Sequence, residues 1–211
     1  MYIRGNIDVL NTPSVAVVGS RKISEYGKHA ITSVIYDIAN SGITIVSGLA
    51  LGTDALAHRT TLDAHGITVA VLAGGIDERT ITPHSHTSLA NQILKNGGAI
   101  ISEYPPGTEP NRGTFPTRNR IMAGLADATI VIEATAKSGT LITAEFAYKF
   151  KRKLFALPGS IFTQNSVGPN ILIRDKKATA LLCTDDVLGT FSAKGGSAFG
   201  GKGLQQKKRV C

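Results

Sequence analysis

The sequence predicts an α/β protein: an open, mostly parallel sheet of about seven strands with helices on both faces. Three observations carry that prediction. Short apolar β-type runs alternate with stretches of helical period from residue 15 to about residue 190. The runs are continuously apolar rather than alternating, as strands covered on both faces are. Finally, 211 residues with 42% hydrophobic and 18% charged side chains, 23 glycines and no tryptophan suffice for one well-buried α/β core and not for two.

Taken in order, the strands are expected at 15–18, 44–46, 68–72, 99–101, 129–132, 154–157 and 178–182. Between the first two, Ile31, Val34, Ile35, Ile38 and Ala39 follow the i, i+3, i+4, i+7, i+8 stripe of an amphipathic helix, with Ser24 as its N-cap and Gly42 as its stop. Further helices are expected at 53–65, 85–96, 117–125, 140–151 and 184–190. The stretch "EYPPGTEPNRGTFP", 103–116, holds four prolines and two glycines and reads as a long exposed loop without a regular element. Residues 1–191 are thus expected to form one domain. "SAKGGSAFGGKGLQQKKRVC", 192–211, lacks apolar periodicity and is expected to be a basic, disordered tail.

The net charge of +8 is unevenly placed. Lys194, Lys202, Lys207, Lys208 and Arg209 account for five of those charges, and residues 1–191 carry only +3. Bulk charge therefore decides little about partners, and local clustering must. Cys183 and Cys211 offer neither a metal spacing nor a disulfide framework. No apolar signal core opens the chain, and no run approaches the ~20 apolar residues of a membrane span. A soluble, cytoplasmic protein without metal, cofactor or membrane contact is expected.

Several strand ends carry chemistry. Gly19, Ser20 and Arg21 follow the first strand, where backbone N–H groups and a guanidinium suit a phosphate. The turn is not GxGxxG, which argues against a dinucleotide. Ser47, Gly48 and Gly52 follow the second strand ahead of Asp54, read as a helix N-cap, and Gly74 and Gly75 follow the third. Three successive strands ending in small residues make a floor that a ligand can approach. Asp54 and His58, at i and i+4, lack a third ligand and read as a cap and a helix-side histidine; His84 and His86 lack partners for zinc. In "FPTRNR", Arg118, Asn119 and Arg120, with Arg112 upstream, bring cations to a helix start where the dipole disfavours them, which suggests a polyanion. Phe115 beside them offers a ring for base stacking. Lys137, Ser138, Gly139 and Thr140 form a phosphate cradle that lacks GxxxxGK[ST], so P-loop hydrolysis is not expected.

The ordered set "VAVVGSR", "IVSGLALGTDALAH", "GGAIISEYPPGTEPNRGTFPTRNRIMAGLA", "VIEATAKSGTLITAEFA" and "LFALPG" closely resembles the DNA-processing protein A (DprA, or Smf) family from about residue 3 to 190. That resemblance implies a Rossmann-like domain that binds single-stranded DNA without catalysis and helps load a RecA-type recombinase in natural transformation. It also implies a homodimer formed through the C-terminal part of the domain, within 153–190. Arg21, Phe115, Arg118, Asn119, Arg120, Lys137, Ser138 and Gly139 match the family's basic DNA pocket. The chain departs from the pattern at Thr82 and His86, where Tyr and Asn are usual, and at Thr53, where an apolar residue is usual. It is expected to lack the N-terminal helical and C-terminal winged-helix modules of many relatives.

Two other functions compete. A nucleotide phosphoribohydrolase of the lysine-decarboxylase-like family would carry "GGxGTxxE", but here Thr143 stands at the position of the catalytic Glu, and Glu145 lies about 200° further round the helix. A nucleotide-sensing module would use the same glycines and leave Phe115 with less to do. On the favoured reading, Arg118→Ala weakens oligonucleotide binding with little loss of thermal stability, and the tail adds only nonspecific attraction.

Overall fold

The computed structural model describes residues 1–192. Its centre is one sheet of eight strands in the order β1-β5-β4-β3-β2-β6-β7-β8: β1 (Tyr2–Gly5), β2 (Ser14–Val18), β3 (Thr44–Ser47), β4 (Thr68–Val71), β5 (Ala99–Ser102), β6 (Ala128–Val131), β7 (Lys153–Ala156) and β8 (Thr179–Ala180). All neighbours are parallel except β1, which runs antiparallel to β5 with Tyr2 opposite Ser102 and Gly5 opposite Ala99. The seven parallel strands lie where the apolar runs predict them. β1 was not foreseen: it is an edge strand with a solvated side, and its "YIRG" has too little apolar character to stand out.

Alternate residues of the strands feed two cores. Ala16, Val18, Val46 and Val71 pack on one face against α5 (Thr114–Leu125), α6 (Thr140–Lys149) and α7 (Val167–Arg174). Val15, Val17, Ile45 and Ile130 pack on the other, against α1 (Glu25–Ala30), α2 (Tyr36–Asn40), α3 (Thr53–Asp63) and α8 (Thr184–Ser192). α4 (Thr87–Lys95) covers the β4–β5 side through Leu89 and Ile93.

The helix predicted from the first apolar stripe is present as α1 and α2 joined by a π-helical segment, Ile31–Ile35. Ser24 caps it by accepting from the Gly27 N–H, and Gly42 ends it at φ 81°. Ile31, Ile35 and Ile38 are fully buried, each worth about 1.5–3 kcal/mol.

Other expectations need correction. The proline-rich loop stops at Gly113, because α5 takes Thr114, Phe115 and Pro116 into its first turn. Proline is tolerated there since its missing N–H would have had no helical partner. Arg118, Asn119 and Arg120 therefore lie in the second turn, not at the helix start. Asp54 is not the cap of α3. Gly52, at φ 74°, holds that place, and the Asp54 carboxylate accepts from the Ala50 N–H at 3.3 Å. α7 was missed because Gly168, Pro169 and Asn170 break helical propensity; packing of Leu172 into the core overrides it. The tail expected from residue 192 lies, apart from Ser192 at the end of α8, outside the described residues. No helix among the described residues is long and apolar enough to cross a membrane.

Candidate nucleic-acid interface

From β2 the chain builds outward in one direction through β3, β4 and β5, then returns to lay β6 on the other side of β2. Loops leaving β2 and β6 diverge at that point, and open sheets bind ligands in the crevice so formed at the carboxyl ends of their strands. A hollow of about 410 Å³ lies there. Of the predicted residues, Gly19, Ser20, Arg21, Phe115, Arg118, Asn119, Ser138, Gly139 and Thr140 line it.

The floor is held from below. The Thr53 N–H and hydroxyl both donate to the Ser20 carbonyl at 3.1 Å, and the Thr140 hydroxyl donates to the Gly19 carbonyl at 3.1 Å. A Cβ on Gly19 would come within 2.5 Å of Thr53 Oγ1, so the first loop can be tied down this closely only with glycine there. Thr53, one of the three residues read as departing from the family pattern, thus has a local role. Ser138 Oγ accepts from the Thr140 N–H at 3.2 Å and shapes the start of α6.

Arg118 is buried, with 4% of its surface exposed. Its Nη1 donates to the Val71 carbonyl at 2.8 Å and its Nε to Asn119 Oδ1 at 3.1 Å, while Asn119 Nδ2 donates to the Gly139 carbonyl at 3.2 Å. These bonds lock α5 to the end of β4 and to the start of α6. Gly48 makes room for it: a Cβ there would lie 1.7 Å from Arg118 Nη1. Burial raises the Asp54 carboxyl above its ordinary value, and the Arg118 charge pulls it back; burial likewise lowers the Arg118 guanidinium, and Asp54 opposes that. The two charges compensate each other inside the protein.

Two exposed cations line the hollow, Lys22 and Arg21, and the Arg21 guanidinium carbon stands 5.3 Å from the centre of the half-buried Phe115 ring. Four predicted residues lie elsewhere. Ser47 is fully buried and donates to the Val17 carbonyl at 2.7 Å, as a tie between strands. Gly48 faces the Arg118 guanidinium. Arg120 is ion-paired with Glu103 and does not line the hollow. Lys137 is exposed, off the hollow's wall.

Sequence reasoning missed Asn165, which also lines the hollow, and Glu133 behind it. The buried Glu133 carboxylate accepts from the Ser24 N–H at 3.0 Å, from the Ser24 hydroxyl, and from Asn165 Nδ2 at 3.2 Å. Asn165 also donates to the Lys22 carbonyl at 3.0 Å. The three residues come from widely separated points of the chain, and no local pattern marks Asn165. Thr143 lines the hollow, whereas Glu145 lines a separate groove on α6.

His58 and His86 are both buried. His86 Nδ1 donates to the Leu49 carbonyl at 2.8 Å, beside the positive φ of 60° at Leu49. Thr68 gives its proton to the Ile45 carbonyl, so His58 Nδ1 must carry the hydrogen of the 2.7 Å contact with Thr68 Oγ1. Its Nε2 has no hydrogen-bond partner among the described residues. Burial, with His86 and Arg118 adding repulsion, lowers the His58 pKa from 6.5 to about 3. Between those values the unfolded chain binds the extra proton, so stability present above pH 6.5 is lost as pH falls toward 3, at up to about 1.4 kcal/mol per pH unit. His58→Gln is expected to flatten that acid limb; urea unfolding at pH 4.5 and 7.5 that shows identical limbs in both proteins would exclude His58 as its source.

The family model for DNA recombination-mediator protein A matches residues 1–192. Protein Smf of Escherichia coli K12 is 41% identical over 185 residues, covering 88% of this chain and 48% of that protein. DNA processing protein DprA of Streptococcus pneumoniae R6 is 42% identical over 191 residues, covering 90% of this chain and 66% of the relative. This chain thus spans about half to two thirds of the length of these relatives. Among solved structures, DNA processing protein A of Helicobacter pylori, described for its single-stranded DNA binding mode, superposes with a TM-score of 0.82 at 31% identity over 92% of this chain and 86% of its own. With the family model matched over the whole described length, the chain belongs to the DNA recombination-mediator protein A family.

Proposed function

We propose that the protein is a single-stranded DNA-binding recombination mediator, which protects incoming DNA and helps load a RecA-type recombinase in natural transformation. It acts without catalysis, as a homodimer in the cytoplasm. The observation that carries the DNA-binding reading is the hollow where β2 and β6 diverge, with the exposed Arg21 over the Phe115 ring at its rim. A flexible strand can lay a phosphate against Arg21 and the Gly19–Ser20 backbone and a base against Phe115, with little preference for sequence. The single-stranded DNA binding described for the Helicobacter pylori relative agrees with this.

Two observations favour a binding role over an enzymatic one. Thr143, not a carboxylate, faces the hollow from α6. Glu133 is occupied by Ser24 and Asn165, and Asp54, which borders the hollow, is buried, accepts from the Ala50 N–H and lies in the field of Arg118.

The test is a fluorescence-anisotropy titration with a short oligo-dT and with a matched duplex across a salt series. The expected result is tighter binding of the single strand, with log K falling by about 0.7 per phosphate contacted for each unit of log salt. Equal affinity for single strand and duplex at every salt concentration would overturn the reading.

A further inference from the structure

Between the end of β2 at Val18 and the start of α1 at Glu25, the stretch "GSRKIS" has no helix or strand of its own, yet it delivers both exposed cations of the hollow, Arg21 and Lys22. Its place is set by ties to the rest of the fold. The first half is held from α3 and α6, through Thr53 at the Ser20 carbonyl and Thr140 at the Gly19 carbonyl. The second half is held from the other side. There the Lys22 carbonyl accepts from Asn165 Nδ2 at 3.0 Å, and the Ser24 N–H donates to Glu133 at 3.0 Å. The Lys22 carbonyl also accepts from the Ser20 hydroxyl at 3.0 Å, a bond within the stretch that does not fix it to the sheet.

Asn165 is built as a strut. Its backbone is fixed beyond the end of β6, where its carbonyl accepts from the Ala134 N–H at 2.7 Å. Its side-chain nitrogen then spans two acceptors, the Lys22 carbonyl and, at 3.2 Å, Oε2 of Glu133. A carbonyl cannot donate and that Oε2 already accepts from Ser24, so the amide nitrogen must face both, and each of its hydrogens is used. Glu133 is 3% exposed and takes part in no ion pair among the described residues. By its charge alone, a carboxylate behind two cations works against a polyanion. Its bonds give the reason it stands there: through Ser24 and Asn165 it fixes the stretch that carries Lys22. A Cβ on Gly27 would lie 3.0 Å from the Glu133 carboxyl carbon, so glycine lets α1 begin directly against it.

We propose that Lys22 is a further phosphate contact of the single strand and that Asn165 is its positioning residue. Lys22 lines the hollow, is exposed and forms no ion pair among the described residues, so its charge is available to a phosphate. On a stretch without helix or strand, such a charge contributes most when the backbone beneath it is already ordered, because a loose loop loses its freedom at the moment of binding. Asn165 supplies that order in advance. Its bonding partners all lie within this chain, so the role requires no free face on the 153–190 segment. It does rest on the single-strand reading of the hollow.

The test is anisotropy with short oligo-dT across a salt series on the full chain, on Asn165→Ala, on Lys22→Ala and on the double variant, with Tm read for each. Asn165→Ala removes no charge. Its affinity should nevertheless fall about three- to tenfold, and its slope of log K against log salt should become shallower by about 0.7, the share of one phosphate. Lys22→Ala should show the same change of slope, and the double variant should lose no more than Lys22→Ala alone, since Asn165 acts through Lys22. Ile38→Val, buried in α2 and not lining the hollow, controls for stability: it should lower Tm and keep the parent's affinity and slope. The parent's affinity or slope in Asn165→Ala, losses that add in the double variant, or an equal loss in Ile38→Val would each overturn the role. Parental affinity in Lys22→Ala, at an exposed side chain where folding is not at stake, would do the same. A parent that fails to bind oligo-dT would bring down the single-strand reading as well, whereas a binding parent with an unaltered Asn165→Ala would overturn this role alone.

Discussion

Arg118→Ala is expected to destabilise the protein by about 3–5 kcal/mol, besides weakening oligo-dT binding at least tenfold. The guanidinium is not a solvated charge waiting for DNA. It holds the Val71 carbonyl and Asn119, and it is the charge that offsets the buried Asp54. Removing it orphans a buried carbonyl, costing about 1–3 kcal/mol by itself, and leaves the Asp54 carboxylate uncompensated. This reverses the small stability effect expected from the sequence alone. A pH signature accompanies the loss. Burial raises Asp54 above its unfolded value, and without Arg118 it rises further; the neutral acid is tolerated below that pKa, and stability is lost as pH climbs through it. The gap between parent and variant should therefore be wider at pH 8 than at pH 5 in urea unfolding. Gly48→Ala should reproduce part of both effects, because its Cβ meets Nη1 and must drive the guanidinium from Val71. An Arg118→Ala protein with the parent's unfolding midpoint would refute this account of the site.

Phe115→Ala is expected to weaken oligo-dT binding by about 1–3 kcal/mol, roughly fivefold to more than a hundredfold, with little change in Tm. The ring is only half-buried at the rim, so its loss removes a stacking surface and little core. Arg21 stands over the same ring, which couples the two residues. Arg21→Ala should lower affinity and make the salt slope shallower by about 0.7, whereas Phe115→Ala should leave the slope unchanged. In the double variant the two losses should not add, since each residue orders the other. Phe115→Trp, which keeps a stacking face, should bind at least as well as the parent. Anisotropy across a salt series reads all four proteins, and an unchanged affinity in Phe115→Ala would remove stacking from the mechanism.

By itself the sequence determined the parallel sheet, the paired apolar cores, the Ser24-capped helix and the edge at which a ligand would lie. Those follow from local periodicity and from glycine-rich strand ends, which a linear reading can register. It also brought nine of the lining residues together, in the turns that follow β2 and β6 and in the first two turns of α5. Tertiary structure decided which charges are available. Arg118, Arg120 and Arg21 look alike in a sequence, yet one is buried against Val71, one is paired with Glu103, and one is left exposed over Phe115. The physical reason is that a cation's fate depends on the carbonyls and carboxylates that the fold brings to it from far along the chain, 47 residues away for Val71. The same holds for Asn165, which reaches the hollow only through the fold.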